Sequence, residues 1–186
     1  MLKRNLTKEK IIQVAFSLAD EIGLNQVTFQ KIAEKLGIKY PSLYNHFTNM
    51  DNLKVEMTVY LLNELNLKLI KSLIGKSGDD AIKEFAYVYR DFAFESKTAY
   101  GLFMSIPSTE DSELFRLARE TTHIIHQLLK FYIKDETFLV HKSRILRSLL
   151  HGFVSLHSFG YFHGKVNLEE SFQSIIDDFI LSLSKK

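Results

Sequence analysis

The chain has 186 residues, 46% of them hydrophobic and 25% charged, enough apolar material for a sizeable core and no charge excess of the kind that keeps a chain disordered. It contains no cysteine, which excludes a disulfide framework, a thiolate zinc site and a cysteine nucleophile and fits a reducing, cytoplasmic setting. Formal net charge is +2, but residues 1–54 carry eight Lys and Arg against five acids, leaving the first third at +3 and the remainder at −1.

Apolar residues recur at three- and four-residue intervals nearly throughout and only Pro41 and Pro107 interrupt them, so the chain is expected to be all-α, with about nine helices. The first opens at Thr7, a side chain suited to an N-cap, and presents Ile11, Ala15, Leu18 and Ala19 on one face before Gly23 ends it. Thr28 caps a second, shorter helix through Ile32, Ala33 and Leu36, which Gly37 ends. A third is expected between 39 and 46. After Asn49 the helices lengthen. One from about 51 to 73 carries Leu53, Met57, Leu61, Leu65, Leu69 and Ile70 over more than half its circumference and is expected to be central. Further helices follow around Phe85 and Tyr89, from about 99 to Pro107, around Leu114 to Tyr132, from about 139 to 161, and from 168 to 183. The longest uncharged stretch, 148–164, contains two interior glycines, three histidines and three serines and is too short to span a bilayer. Lys8, Glu9 and Lys10 stand where a signal peptide would need an apolar run.

Two short helices joined by Leu36-Gly37-Ile38 have the pattern of a helix-turn-helix, in which the second helix reads nucleic acid. Its exposed set, Lys39, Tyr40, Pro41, Ser42, Tyr44, Asn45 and His46, includes groups able to reach phosphates or base edges. Spacing alone leaves open a purely structural helix pair with a solvated face.

Residues 28–47 (TFQKIAEKLGIKYPSLYNHF), with Asp51-Asn52-Leu53 after them, closely resemble the signature of the tetracycline-repressor (TetR) family, whose hallmark stands here as Leu43, Tyr44, Asn45, His46 and Phe47. The run from Leu150 to Leu156, centred on His151 and Gly152, resembles the Trp-His-Gly element of one C-terminal subclass, with Leu150 in place of Trp. The resemblance implies a homodimer that binds a palindromic operator on double-stranded DNA through residues 1–48, with a helical ligand-binding and dimerisation domain over 49–186. It further implies that Thr28 caps the second helix and holds a phosphate, that Gln30 reaches a base edge, and that Lys39, Tyr40 and Pro41 begin the reading helix. Tyr44 and His46 would anchor phosphates, while Leu43 and Phe47 pack inside. This chain departs from the pattern twice. Lys39 stands where most relatives have a capping Ser or Thr, forgoing about 1 kcal/mol, and Met50 stands where many have a phosphate-binding lysine. Lys54, one turn along, is the candidate replacement.

Beyond the N-terminal module the expectations are broader. An apolar or aromatic inducer is expected among Phe92, Tyr100, Phe103 and Ile125, with a packed aromatic core as the alternative reading. The dimer seam is expected on the last two helices, through Leu149, Gly152 and Phe153 on one and Phe172, Ile176 and Phe179 on the other, unless those stripes complete the core of the single chain. His123 and His126 have chelating spacing but no carboxylate cluster beside them, so no metal and no cofactor is expected. Without a glycine-rich phosphate loop, a nucleophile elbow or a convincing acid pair, an enzyme is not expected. The competing reading on the same fold is an architectural or nucleoid-binding protein that needs no small ligand.

Overall fold

A computed structural model describes residues 6–95, 97–104 and 112–183, the backbone alone at 97, 99, 103 and 112. Among these residues the fold is all-α, with eight α-helices, two short 3-10 helices and no strand. They form two compact units, the first built from residues 6–62, 97–104 and 112–115, the second from 63–95 and 116–183.

In the first unit, α1 (Lys8–Ile22) starts where the Thr7 hydroxyl accepts the Lys10 N–H at 3.2 Å and ends at Gly23, whose φ of 88° is open to glycine at no steric cost. It buries Ile11, Ala15 and Ala19. After a 3-10 turn at Leu24–Gln26, α2 (Phe29–Leu36) begins on the Thr28 hydroxyl, which accepts the Lys31 N–H at 3.3 Å. It closes in a Schellman motif: left-handed Gly37 donates to the Glu34 carbonyl, and Ile38 to that of Ala33. The element at Tyr40–Asn45 is a 3-10 helix and so tighter than the α-helix expected there. Leu43 and Phe47 are buried at 0% and 1% exposure and root it in the core. α3 (Met50–Leu73) then starts on a reciprocal cap, in which Asn49 Oδ1 accepts the Asn52 N–H at 2.8 Å and Asn52 Oδ1 accepts the Thr48 N–H at 3.2 Å. Its first half buries Leu53, Met57, Leu61 and Leu62, and Glu56 pairs with Lys8 of α1 at 2.7 Å. α5 (Lys97–Met104) packs on α1. The expected helix end at Pro107 lies outside the described residues.

In the second unit, α4 (Gly78–Glu95) packs against α7 (Glu136–Ser158) and α8 (Leu168–Leu181), and the last two pack on each other. Phe172 stands at the centre with no exposed surface, its ring 4.8 Å from that of Phe153 and 5.3 Å from that of Tyr87. The buried Arg90 guanidinium lies 4.6 Å over the Phe172 ring and bonds to Asp91 and Glu169, tying α4 to the first turn of α8. The rest of α3 and α6 (Ser112–Leu129) meet through buried Asn66, whose amide donates to the Leu117 carbonyl at 3.1 Å and accepts the Thr121 hydroxyl at 2.7 Å. The Tyr89 hydroxyl of α4 lies 3.0 Å from Nε2 of His151 in α7.

These contacts correct several expectations. Phe153, Phe172, Ile176 and Phe179, expected at a dimer seam, are 3%, 0%, 1% and 3% exposed and are consumed by the chain's own core. A side chain already walled in by its own neighbours has no surface to offer a partner. Gly152, by contrast, is exposed, and a Cβ added there would meet nothing of the chain within 4 Å. Ile70, placed on the buried stripe of α3, is exposed. Ile125 is 1% exposed and fills the core instead of facing an open cavity.

Two outcomes follow from the buried polar groups. Asn66→Asp would set a carboxylate against the Leu117 carbonyl and near Glu120, and urea unfolding should show a loss of about 3–5 kcal/mol, against about 1–3 for Asn66→Leu. Burial, aided by the charge of Arg147, lowers the His151 pKa from 6.5 to about 4. The unfolded chain therefore takes up a proton before the folded one does, and stability is lost as pH falls from about 6.5 toward 4. Between pH 7 and 5 the wild type should lose about 2 kcal/mol that His151→Asn does not.

Candidate nucleic-acid interface

Every residue expected to meet DNA lies in the first unit, and most of them stand on or beside the Tyr40–Asn45 turn. Lys39 is its N-cap residue and, lacking an acceptor, makes no side-chain cap. Pro41 in the first turn removes an N–H that would have gone unpaired there and sets φ for the turn. Along the turn Leu43 is buried, while Tyr40, Pro41, Tyr44 and Asn45 are exposed and Ser42 and His46 half-buried. The exposed members of the expected recognition set thus lie along this turn, which buried Leu43 roots in the core.

Residues from neighbouring elements flank this surface. Thr28 has its hydroxyl engaged by the α2 cap, and Gln30 is exposed one turn before Glu34, to which its amide donates at 3.3 Å. Met50 opens α3 half-buried, immediately after the Asn49 cap. Lys54 is drawn to Asp51, its ammonium 3.8 Å from that carboxylate, so its charge is already partly balanced. The sequence reading missed the packing of the aromatic side chains. Phe29, Tyr44 and Tyr40 form a train of edge-on contacts, at centroid distances of 5.1 Å and 5.8 Å, that runs from the buried start of α2 to the exposed start of the turn. The aromatic residues at 29, 40 and 44 were visible, but a chain of edge contacts between two elements is not encoded in spacing along either.

Of the residues expected at a ligand, Phe92 and Ile125 belong to the second unit and Tyr100 and Phe103 to the first. In the second unit Phe92 is half-buried with the Lys68 ammonium 5.2 Å over its ring. In the first unit Tyr100 is half-buried on α5, and the side chain of Phe103 lies outside what is described. His123 bonds to Gln127, and among the described residues no three His, Cys, Asp or Glu group as a metal site would require. None of the described helices is long and apolar enough to cross a membrane.

Helices packed at a tight glycine turn, the second presenting a polar outward face rooted by two buried residues, make a helix-turn-helix DNA-binding module. The sequence model described as "Bacterial regulatory proteins, tetR family" matches residues 11–57. The model described as "Tetracyclin repressor-like, C-terminal domain" matches residues 82–179, more than half of the chain. The chain belongs to the TetR family and is a DNA-binding transcriptional regulator of that family. Over 180 residues it is 29% identical to YobS of Bacillus subtilis (strain 168), an uncharacterized HTH-type transcriptional regulator, covering 96% of this chain and 93% of that one. Among solved structures, a Rhodococcus sp. RHA1 protein of unknown function superposes with a TM-score of 0.88 at 13% identity over the whole of both chains. A TetR variant from Acinetobacter baumannii AYE, in complex with minocycline, superposes at 0.70 with 20% identity over 96% of each.

The electrostatic part of the interface is open to measurement. Met50→Lys adds a cation beside the α3 N-terminus and should steepen the log-log dependence of DNA affinity on salt by about 0.9, leaving base preference unchanged. Lys39→Met should flatten it by a similar amount. Titrations at several salt concentrations check both, and an unchanged slope in each would place this edge of the module away from the phosphates.

Proposed function

We propose that the protein is a ligand-responsive repressor that acts as a cytoplasmic homodimer on a palindromic operator, with residues 1–48 reading DNA and 49–186 serving dimerisation and ligand response. The observation that carries the dimer is an open apolar stripe on α7. Phe138, Ile145, Leu149, Gly152, Leu156 and Phe159 recur at spacings of seven, four, three, four and three residues, and the five large side chains are exposed or half-buried. That puts them on one side of the helix. The adjoining side, with Leu146, Leu150, Phe153 and Val154, is buried in the chain. A helix apolar on both sides has a second surface to cover, and a second copy, related by a two-fold axis, would bring the same stripe to it. On α8, Gln173, Ser174 and, further on, Leu181 are exposed. Leu149 and Gly152 are the two expected seam residues that stand on this stripe. Two such subunits would set their reading turns in successive major grooves, about 34–36 Å apart or a multiple of that.

Ligand response rests on the likeness of fold to a regulator solved with minocycline, and half-buried Phe92 and Tyr100 are the expected ligand residues that still have surface to give. An inducer that lowers operator affinity 100-fold must favour the non-binding form by about 2.7 kcal/mol. Membership of the Trp-His-Gly subclass rests on the run from Leu150 to Leu156, centred on His151 and Gly152.

The seam is tested by charge. Ile145→Glu with Leu156→Glu should give a folded monomer in sedimentation, with operator binding reduced at least tenfold, because pairing would bury unpaired carboxylates at several kcal/mol. Phe172→Glu should unfold the second unit instead. A double variant that stays dimeric rules out this stripe, and a wild type that sediments as a monomer rules out the dimer.

A further inference from the structure

The train of rings that ends at Tyr40 does more than brace the turn. Phe29 is 6% exposed and fixed at the start of α2 by the Thr28 cap. The Tyr44 ring meets it edge-on, with planes at 87°, and the Tyr40 ring meets Tyr44 in the same manner at 75°. The backbone beneath Tyr40 is held as well: the Lys39 carbonyl accepts the Ser42 N–H at 3.0 Å, closing the turn around Tyr40 and Pro41. Tyr40 is nevertheless 50% exposed, at the start of the turn that also exposes Pro41 and Asn45. It is an ordered, half-dry aromatic face that needs little further loss of freedom to make a contact, since its side chain has two main torsions and its neighbours already restrict them.

A ring so placed selects by the apolar chemistry of what it meets. Base edges in a major groove present hydrogen-bond donors and acceptors and one apolar group, the C5-methyl of thymine. The phenolic hydroxyl can reach a phosphate, but a phosphate contact carries no sequence information. We propose that Tyr40 is a specificity-determining residue that reads thymine through contact of its ring with the C5-methyl, with Tyr44 and Phe29 as positioning residues behind it. This rests on the reading turn entering the major groove. The bound half-site then contains a thymine opposite Tyr40, and removal of that single methyl weakens binding about fourfold, the size of one apolar carbon withdrawn from water.

The experiment begins by selecting bound sequences from a random duplex pool with the full-length protein, then replaces each thymine of the half-site, one at a time, by deoxyuracil, which lacks only the methyl. Wild type should lose about fourfold in affinity at one position and little at the others. Tyr40→Phe, which keeps the ring and drops the hydroxyl, should keep that penalty even where its overall affinity falls. Tyr40→Ala should bind the thymine and deoxyuracil duplexes equally, with its fold checked by thermal melting; should it fail to fold, wild type and Tyr40→Phe still decide. The assignment is overturned if no deoxyuracil position matters to wild type, if Tyr40→Ala retains the penalty, or if Tyr40→Phe abolishes it. A pool from which wild type selects no sequence at all would instead overturn the sequence-reading function on which the assignment depends.

Discussion

A turn of six residues cannot hold its own shape. The surface expected to meet DNA exists because Leu43, with no exposed area, and Phe47, with almost none, pin the Tyr40–Asn45 turn to a core made by α1, α2 and the first half of α3. Two side chains thus do for this turn what intrahelical hydrogen bonds do for a long helix. The surrounding caps serve the same end. Gly37 admits the chain to the turn through a left-handed residue, and the Asn49–Asn52 reciprocal cap releases it directly into α3. Little slack remains at either end, so the exposed polar groups between them keep one arrangement.

The second unit solves a different problem. Its core is aromatic, and a cation sits inside it. Arg90, at 8% exposure, is tolerable there because Asp91 and Glu169 satisfy its guanidinium and the Phe172 and Tyr87 rings cover its faces. Asn66 plays a comparable part between α3 and α6. Neither group adds much net stability over a well-packed apolar pair, but each penalises a shifted register by leaving polar atoms unpaired.

Local signals were legible in the sequence, and distant ones were not. Thr7, Thr28, Gly23 and Gly37 mark helix ends through bonds to residues within a few positions, and the structure shows each of those ends where the residues put it. The 3-10 form of the reading turn escaped notice, since Pro41 and the apolar Leu43 suit either helix type. The choice of face on α7 escaped for a deeper reason: with Leu146, Leu150 and Val154 on one side and Ile145, Leu149 and Leu156 on the other, periodicity has no preferred direction. Asn66 carried no local signal of its pairing. Its partner Thr121 is 55 positions away, a distance that no window along one chain can bridge.

The two-sided character of α7 has a bearing on how the chain lives before it does anything. An uncovered row of Phe138, Ile145, Leu149, Leu156 and Phe159 is adhesive toward any apolar surface, including a half-folded copy of itself. Under the proposed pairing, its safety depends on how quickly a second copy is found, and so on abundance. At very low copy number a chain stays solitary for longer; at high copy number it meets its match and its mistakes together. Overproduction and dilution are then not neutral handling conditions for this protein but opposite stresses on the same face.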